Sequence, residues 1–197
     1  MDLTYISLFT FAYLSGSIST AIVVCRILTL PDPRIVGSHN PGATNVHRIG
    51  GTKAAILTLF GDMLKTVFPL VAAIYLGYST AFELIWLGVS GLLGHCFPVF
   101  FRFKGGKGVA SLFAILIITV PDLSLIALTC WLIIVWSFRR SSIASIATAI
   151  IIPIFAYQFH SVLFIPLLFL SAVVVLRHKR NIANIIQGKE PIVGHKS

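Results

Sequence analysis

Apolar stretches recur so densely along this chain that almost no soluble fold remains open to it. They run approximately over residues 3–25, 54–75, 81–101, 109–120, 123–138, 143–159 and 162–176. Roughly 20 apolar residues are what a helix needs to cross the hydrocarbon of a bilayer. Only 11% of the 197 residues are charged, against about 25% in soluble domains. In lipid a backbone must satisfy its own polar groups, which favours helices. The expectation is therefore an all-α integral membrane protein, one domain over residues 1–197 with seven transmembrane helices. Segment 109–120 is short for a crossing, and Asp62, Lys65 and Pro153 interrupt two others. Five or six spans with one re-entrant piece is the alternative. The first segment starts with Asp2, lacks a basic leader and has no small-x-small site before Arg26, so it is read as a retained span rather than a signal.

Charge then sets the orientation. The connections after the first, third and fifth segments hold Arg26, Arg34, Arg48 and Lys53, then Arg102, Lys104 and Lys107, then Arg139 and Arg140. Arg177, Lys179, Arg180, Lys189 and Lys196 follow the last segment, which leaves Lys65 as the single cation inside a span. The alternate connections and the N-terminus carry Asp2, Glu83 and Asp122 and no cation. Basic loops stay cytoplasmic, so the N-terminus is expected outside, the C-terminus inside, and the number of spans odd. The polar loops fall on that inner face, where function is expected.

Several chemistries find no support. Cys25, Cys96 and Cys130 are far apart and form no zinc spacing. The formal charge of +9 is read as topology, anionic headgroups or an anionic substrate rather than nucleic acid. There is no G-x-S-x-G elbow, and no histidine is followed by four residues and an aspartate. An enzyme made of these parts needs a substrate that is already activated, on which it acts by positioning and charge stabilisation.

What the inner loops do offer is anion chemistry. In "FKGGKGVA", Gly105, Gly106 and Gly108 let backbone amides approach a ligand closely, and Lys104 and Lys107 add fixed charge. The pattern is not a Walker A loop and reads either as a phosphate site or as a flexible basic turn. "GSHNPGATNVHRIGG" adds Ser38, Asn40, Thr44 and Asn45 as neutral hydrogen-bonders and Arg48 as a planar fork. Beyond the last span, His178 and Asn181 share a face if the helix continues. Arg177 and Lys179 read equally as snorkelling anchors. His95 is read as an interfacial histidine, and Asp62 with Lys65 as a buried ion pair locking the second segment. Ser142 is either a helix cap or a ligand donor.

Taken in order, "GSHNPGATNVHRIGG", "GHCFPVFFRFKGGKGVA" and "RHKRNIANIIQGKE" resemble the three signature regions of the bacterial acyl-phosphate:glycerol-3-phosphate acyltransferases, with "SGSIST" and "GDMLK" as further matching segments. The resemblance runs almost end to end. It implies seven spans in the bacterial inner (plasma) membrane and a cytoplasmic active site. It also implies transfer of a fatty acyl chain from acyl phosphate to the 1-hydroxyl of glycerol 3-phosphate, giving lysophosphatidic acid in the first step of phospholipid synthesis. No metal or cofactor is implied. Carried over by position, Ser38, Arg48, Lys107, His178 and Asn181 are the expected catalytic residues. Asn40, Asn45, Lys104, Gly105, Gly106, Gly108 and Ser142 are the expected substrate-binding ones. Two positions depart from the family pattern: His39 stands where glycine is usual, in the turn carrying Ser38, and Ser19 where proline is usual, at a kink in the first span.

Other classes remain to be weighed. A transporter of an organophosphate anion would also need many spans and anion-binding loops, but no inverted repeat or matched pair of broken helices is visible. A non-catalytic membrane anchor leaves the dense hydrogen-bonding loops without purpose.

Overall fold

The computed structural model of the chain describes residues 2–193; Lys196, counted above among the inner cations, lies outside them. The described residues form α1 (Leu3–Gly16), α2 (Thr20–Ile27), α3 (Ala43–Tyr75), α4 (Ala81–Cys96), α5 (Val109–Thr119), α6 (Pro121–Phe138), α7 (Ser141–Phe159), α8 (Phe164–Arg177) and α9 (Lys179–Ile186). Two short 3-10 turns, Val99–Phe101 and Ser161–Leu163, complete them, and no strand occurs among the described residues.

Every expected apolar segment is helical, but several helices break where the sequence read as continuous. The first span is two helices, α1 and α2, parted at Ser17–Ser19. Ser19 has φ −82° and precedes α2 in extended conformation, so the break that proline would favour forms without one. A break inside lipid exposes backbone groups that must find partners. Here Lys65 Nζ donates to the Ile18 carbonyl at 2.7 Å and pairs with Asp62 Oδ1 at 2.8 Å. Thr20 donates its hydroxyl to the same carboxylate oxygen. The expected ion pair is thus real, and it also closes the gap in the neighbouring span.

α3 starts at Ala43, eleven residues earlier than the hydrophobic pattern suggested, so residues 43–52, expected as the end of a loop, belong to the helix. Tertiary burial explains the difference. Val46 is fully buried and packs with Ala21, Val24, Cys25 and Ala54 into a small core of its own. Gly51, at φ 75°, swivels this opening turn away from the long apolar remainder.

α1 lies against α4 with backbones close enough that a Cβ on Gly94 would strike the Tyr13 carbonyl, and one on Gly16 the Gly91 carbonyl. Small residues permit such approach between helices in lipid. α4 starts from a capping box in which Thr80 and Glu83 each receive the other's backbone N–H. α5 is only 11 residues long, a rise of about 16 Å, and α6 follows it at once behind Pro121. Among the described residues five helical segments are long and apolar enough to cross a membrane, α1 with α2 and α4 with its 3-10 turn each counting as one; α8 with α9, bent by 58°, makes a sixth when counted as one.

Candidate functional site

Alternate helices begin at the same end of the bundle, and their first turns converge. α3 opens on Gly42, α5 on Gly108, α7 on Arg140 and α9 on His178, none with a side-chain cap. Residues of all four first turns line one cavity of about 910 Å³. A helix N-terminus presents unpaired N–H groups and a partial positive charge, which suits anions. Four such termini around one space make a receptor for negative charge before any side chain is added.

The side chains add to it. Arg48 reaches the cavity from the first part of α3, with no hydrogen-bond or ion-pair partner among the described residues. Lys107 stands just ahead of α5 and donates to Asn181 Oδ1 at 2.6 Å. Asn181 Nδ2 in turn donates to Glu190 Oε1 at 2.7 Å, and Ser142 Oγ to the same oxygen at 2.6 Å. The chain Lys107–Asn181–Glu190–Ser142 therefore ties together three segments that are remote in sequence. Burial pulls the Lys107 ammonium down to about 8, against an opposing pull from Glu190. In the break between α8 and α9, His178 gives its Nδ1 hydrogen to the Val174 carbonyl at 2.7 Å. That fixes the tautomer and leaves Nε2 with a free lone pair; burial lowers the imidazole to about 4, so it is neutral near pH 7.

The glycine loop is held from below. Arg177 forks onto the carbonyls of Gly106 (3.0 Å) and Gly105 (2.9 Å) while its guanidinium lies 5.0 Å from the Phe97 ring centroid. The Gly106 N–H donates to the His95 carbonyl at 3.1 Å. A Cβ on Gly106 would overlap the His95 imidazole, and one on Gly105 the His95 carbonyl. Gly108 has φ 84°, which suits glycine at the turn into α5. Replacing Gly106 by alanine is expected to shift the loop and cost about 1–3 kcal/mol of stability. Thermal unfolding in detergent checks this, and an unshifted melting temperature would refute the close fit.

The cavity has two characters. Away from the cationic end it continues between α3, α5 and α6, walled by Met63, Phe113, Ile117, Leu125, Leu128 and Trp131. One space thus joins a positive head to an apolar corridor.

Of the expected residues, Ser38, Asn40, Asn45, Arg48, Gly105, Lys107, Gly108, Ser142, His178 and Asn181 all line this cavity. Their detailed placement differs from expectation in several cases. Asn45 commits its amide to the loop: it accepts the Ser38 N–H at 2.9 Å and donates to the Pro33 and Val36 carbonyls. Gly37, at φ 63°, makes room for it, since a Cβ there would strike the Asn45 side-chain oxygen. Ser142 is in the first turn of α7 but caps nothing; it holds Glu190. Gly106 supports the wall from behind. Lys104 lines a different cavity altogether, with Arg26 and Arg102. The α8 helix does not continue through His178, yet the bend keeps His178 and Asn181 at the same cavity. His39 adopts φ 56°, the left-handed region where glycine is the easy choice and histidine is among the tolerated alternatives. The turn carrying Ser38 survives its substitution.

Sequence reasoning missed Glu190, which is 7% exposed and lies 48 residues from its Ser142 partner. No local pattern marks a lone acid in a basic tail. It also missed Gly42 and Ala43 as an anion-facing helix start, because the Gly- and Asn-rich composition read as loop.

Fold and cavity define a class: multi-pass helical membrane proteins with an anion-receptive cleft at one end of the bundle that opens into an apolar corridor. The family model described as glycerol-3-phosphate acyltransferase matches residues 6–188, and the chain belongs to that family. A Vibrio cholerae serotype O1 protein named glycerol-3-phosphate acyltransferase is 43% identical over 192 residues, covering 98% of this chain and 92% of its own. A Shewanella loihica protein of the same name is 46% identical over 185 residues, covering 94% and 91%. Among solved structures, PlsY (YgiH), an integral membrane glycerol 3-phosphate acyltransferase, matches in its glycerol 3-phosphate form with TM-score 0.90 and 35% identity over 97% of this chain and 96% of that one. Its lysophosphatidic acid form gives 0.87 and 33% over 96% and 95%.

Proposed function

We propose that this protein acylates the 1-hydroxyl of glycerol 3-phosphate with a fatty acyl phosphate as donor, yielding lysophosphatidic acid and inorganic phosphate. The observation that carries this is the joining of the cationic head and the apolar corridor in one cavity. Substrate and product in such a reaction each have a dianionic head, and two of the species carry a long chain. Family membership and the two ligand forms of the solved relative support the acceptor and the product. The donor rests on chemistry: the hydroxyl-activating histidine–aspartate pair is missing, so the acyl group must arrive on a good leaving group.

In the proposed step the glycerol 1-oxygen attacks the acyl carbonyl carbon, the bond from that carbon to the phosphate oxygen breaks, and phosphate departs with the electron pair. Lys107 and the first-turn amides of α5 offset the charge on the leaving phosphate. Arg48, His178 and Asn181 position glycerol 3-phosphate, and Ser38 orients a reacting oxygen. The hydroxyl proton passes to the departing phosphate, while neutral His178 takes part in the positioning through its Nε2 lone pair.

Seven passes, with the N-terminus outside and the cavity at the cytoplasmic face of the inner membrane, complete the reading. Asp122 and His160, 2.7 Å apart, put the start of α6 and the end of α7 at one end. Lys107, Ser142 and Asn181 put the starts of α5, α7 and α9 at the other. α5 with its flanking residues runs between the two ends, which supports counting it as a pass. Purified protein given acyl phosphate, acyl-CoA and acyl-carrier protein side by side tests the proposal. Product only from acyl phosphate is expected; equal use of a thioester donor would refute it.

A further inference from the structure

The displacement of Lys104 from the glycine-loop cavity points to a second site. Its neighbours there are Arg26, Arg34, Arg102, Phe100 and Ile35, around a separate cavity of about 590 Å³. Arg34 is already neutralised by a bidentate pair with Asp32 at 2.7–3.2 Å. Arg26, Arg102 and Lys104 make no hydrogen bond or ion pair with their side chains among the described residues. Asp32 supplies the one negative charge and is taken, so the cavity holds three uncommitted cations.

Its position says what kind of anion it meets. Arg26 is in the last turn of α2, and Arg102 follows the turn that ends the α4 span, so both stand where membrane-crossing segments finish. Phe100 and Ile35, 59% and 71% exposed, face outward at the same rim. Cations grouped at span ends beside exposed apolar side chains match an anionic headgroup whose chains stay in the bilayer. A freely soluble anion has no use for the apolar rim. Arg102 and Phe103 both hold φ near 55–58°, so the backbone is turned to bring Arg102 and Lys104 to this side while Gly105 and Lys107 face the other.

We propose that this cavity is a binding site for the phosphate headgroup of an anionic phospholipid of the surrounding membrane, distinct from the glycine-loop cavity and independent of the reaction assigned to it. The five-residue stretch Lys104–Gly108 runs from one site to the other.

The test is native mass spectrometry of the purified full chain with equimolar phosphatidylglycerol and phosphatidylcholine, neither of them substrate or product of the proposed reaction. Each basic residue near a headgroup contributes about fivefold. Wild type is therefore expected to favour phosphatidylglycerol by at least about tenfold, and the Arg26→Gln/Arg102→Gln variant to approach equal binding. Both side chains are exposed, so the variant is expected to keep wild-type melting and glycerol 3-phosphate affinity. An unchanged lipid preference in the variant would overturn the proposal. So would displacement of the lipid from wild type by glycerol 3-phosphate, which would assign the anion to the glycine-loop cavity. Joint loss of lipid preference and glycerol 3-phosphate binding would make the two cavities one site and overturn it equally.

Discussion

Methionine in place of Lys107 is expected to lower turnover by about 10²–10³-fold, the usual cost of removing one preorganised donor to a developing charge. The side chain stays similar in length and still fills the space beside Asn181, so the fold is retained and the loss falls on kcat. The α5 N-terminus remains, which is why activity is not abolished entirely. A pH profile isolates the charge. The folded ammonium titrates near 8, below the ordinary lysine value of 10.5. The charged form is thus present below pH 8 and is lost as pH rises through it, taking the phosphate clamp with it. Wild-type activity is expected to fall above pH 8. Lys107→Arg, which stays charged, moves that alkaline decline upward by more than one pH unit even if its lower activity reflects imperfect fit. A decline at the same pH in both proteins would remove Lys107 from the explanation.

The second large effect is expected in the membrane interior. Asp62→Asn keeps the shape and still accepts the Thr20 hydroxyl, but it leaves Lys65 charged, 8% exposed and unpaired. Breaking one partner of a buried pair costs about 3–5 kcal/mol. Asp62→Asn/Lys65→Met removes the stranded charge as well and is expected to recover part of that loss. The remainder persists because the Ile18 carbonyl then lacks its donor. Thermal or chemical unfolding in detergent ranks the three proteins. A single variant as stable as wild type would show that the pair does not hold the broken first span.

The route from sequence to fold worked best where one physical term dominated. Burial of apolar side chains in lipid is overwhelming over residues 121–138 and 141–159, and the helices there match the hydrophobic segments within a few residues. It failed where polar and apolar terms compete. Residues 43–50 carry glycine, asparagine and arginine, so local propensity favours loop, but burial of Val46 against α2 makes them helical. The break at Ser17–Ser19 was marked only as a kink at Ser19 in the family pattern; its stabilisation by Lys65, almost fifty positions away, was hidden.

The site divided in the same manner. That Ser38, Arg48, Lys107, His178 and Asn181 would line one cavity was legible because the motifs that carry them are short and specific. Asn45 and Ser142 were named for binding, while their hydrogen bonds hold the Ser38 turn and Glu190 in place. Lys104 and Lys107 differ by three positions and look equivalent in the sequence. The turned backbone at Arg102 and Phe103 sends them to separate cavities.

From the sequence alone came the lipid environment, the helical class, the segregation of charge and the residue types able to grip phosphate, because each depends on composition or on neighbours close along the chain. The tertiary structure decided which helix ends meet, which cation faces which space and which acid completes the network. Those are set by contacts between segments tens of residues apart, where backbone direction and close packing leave no local trace.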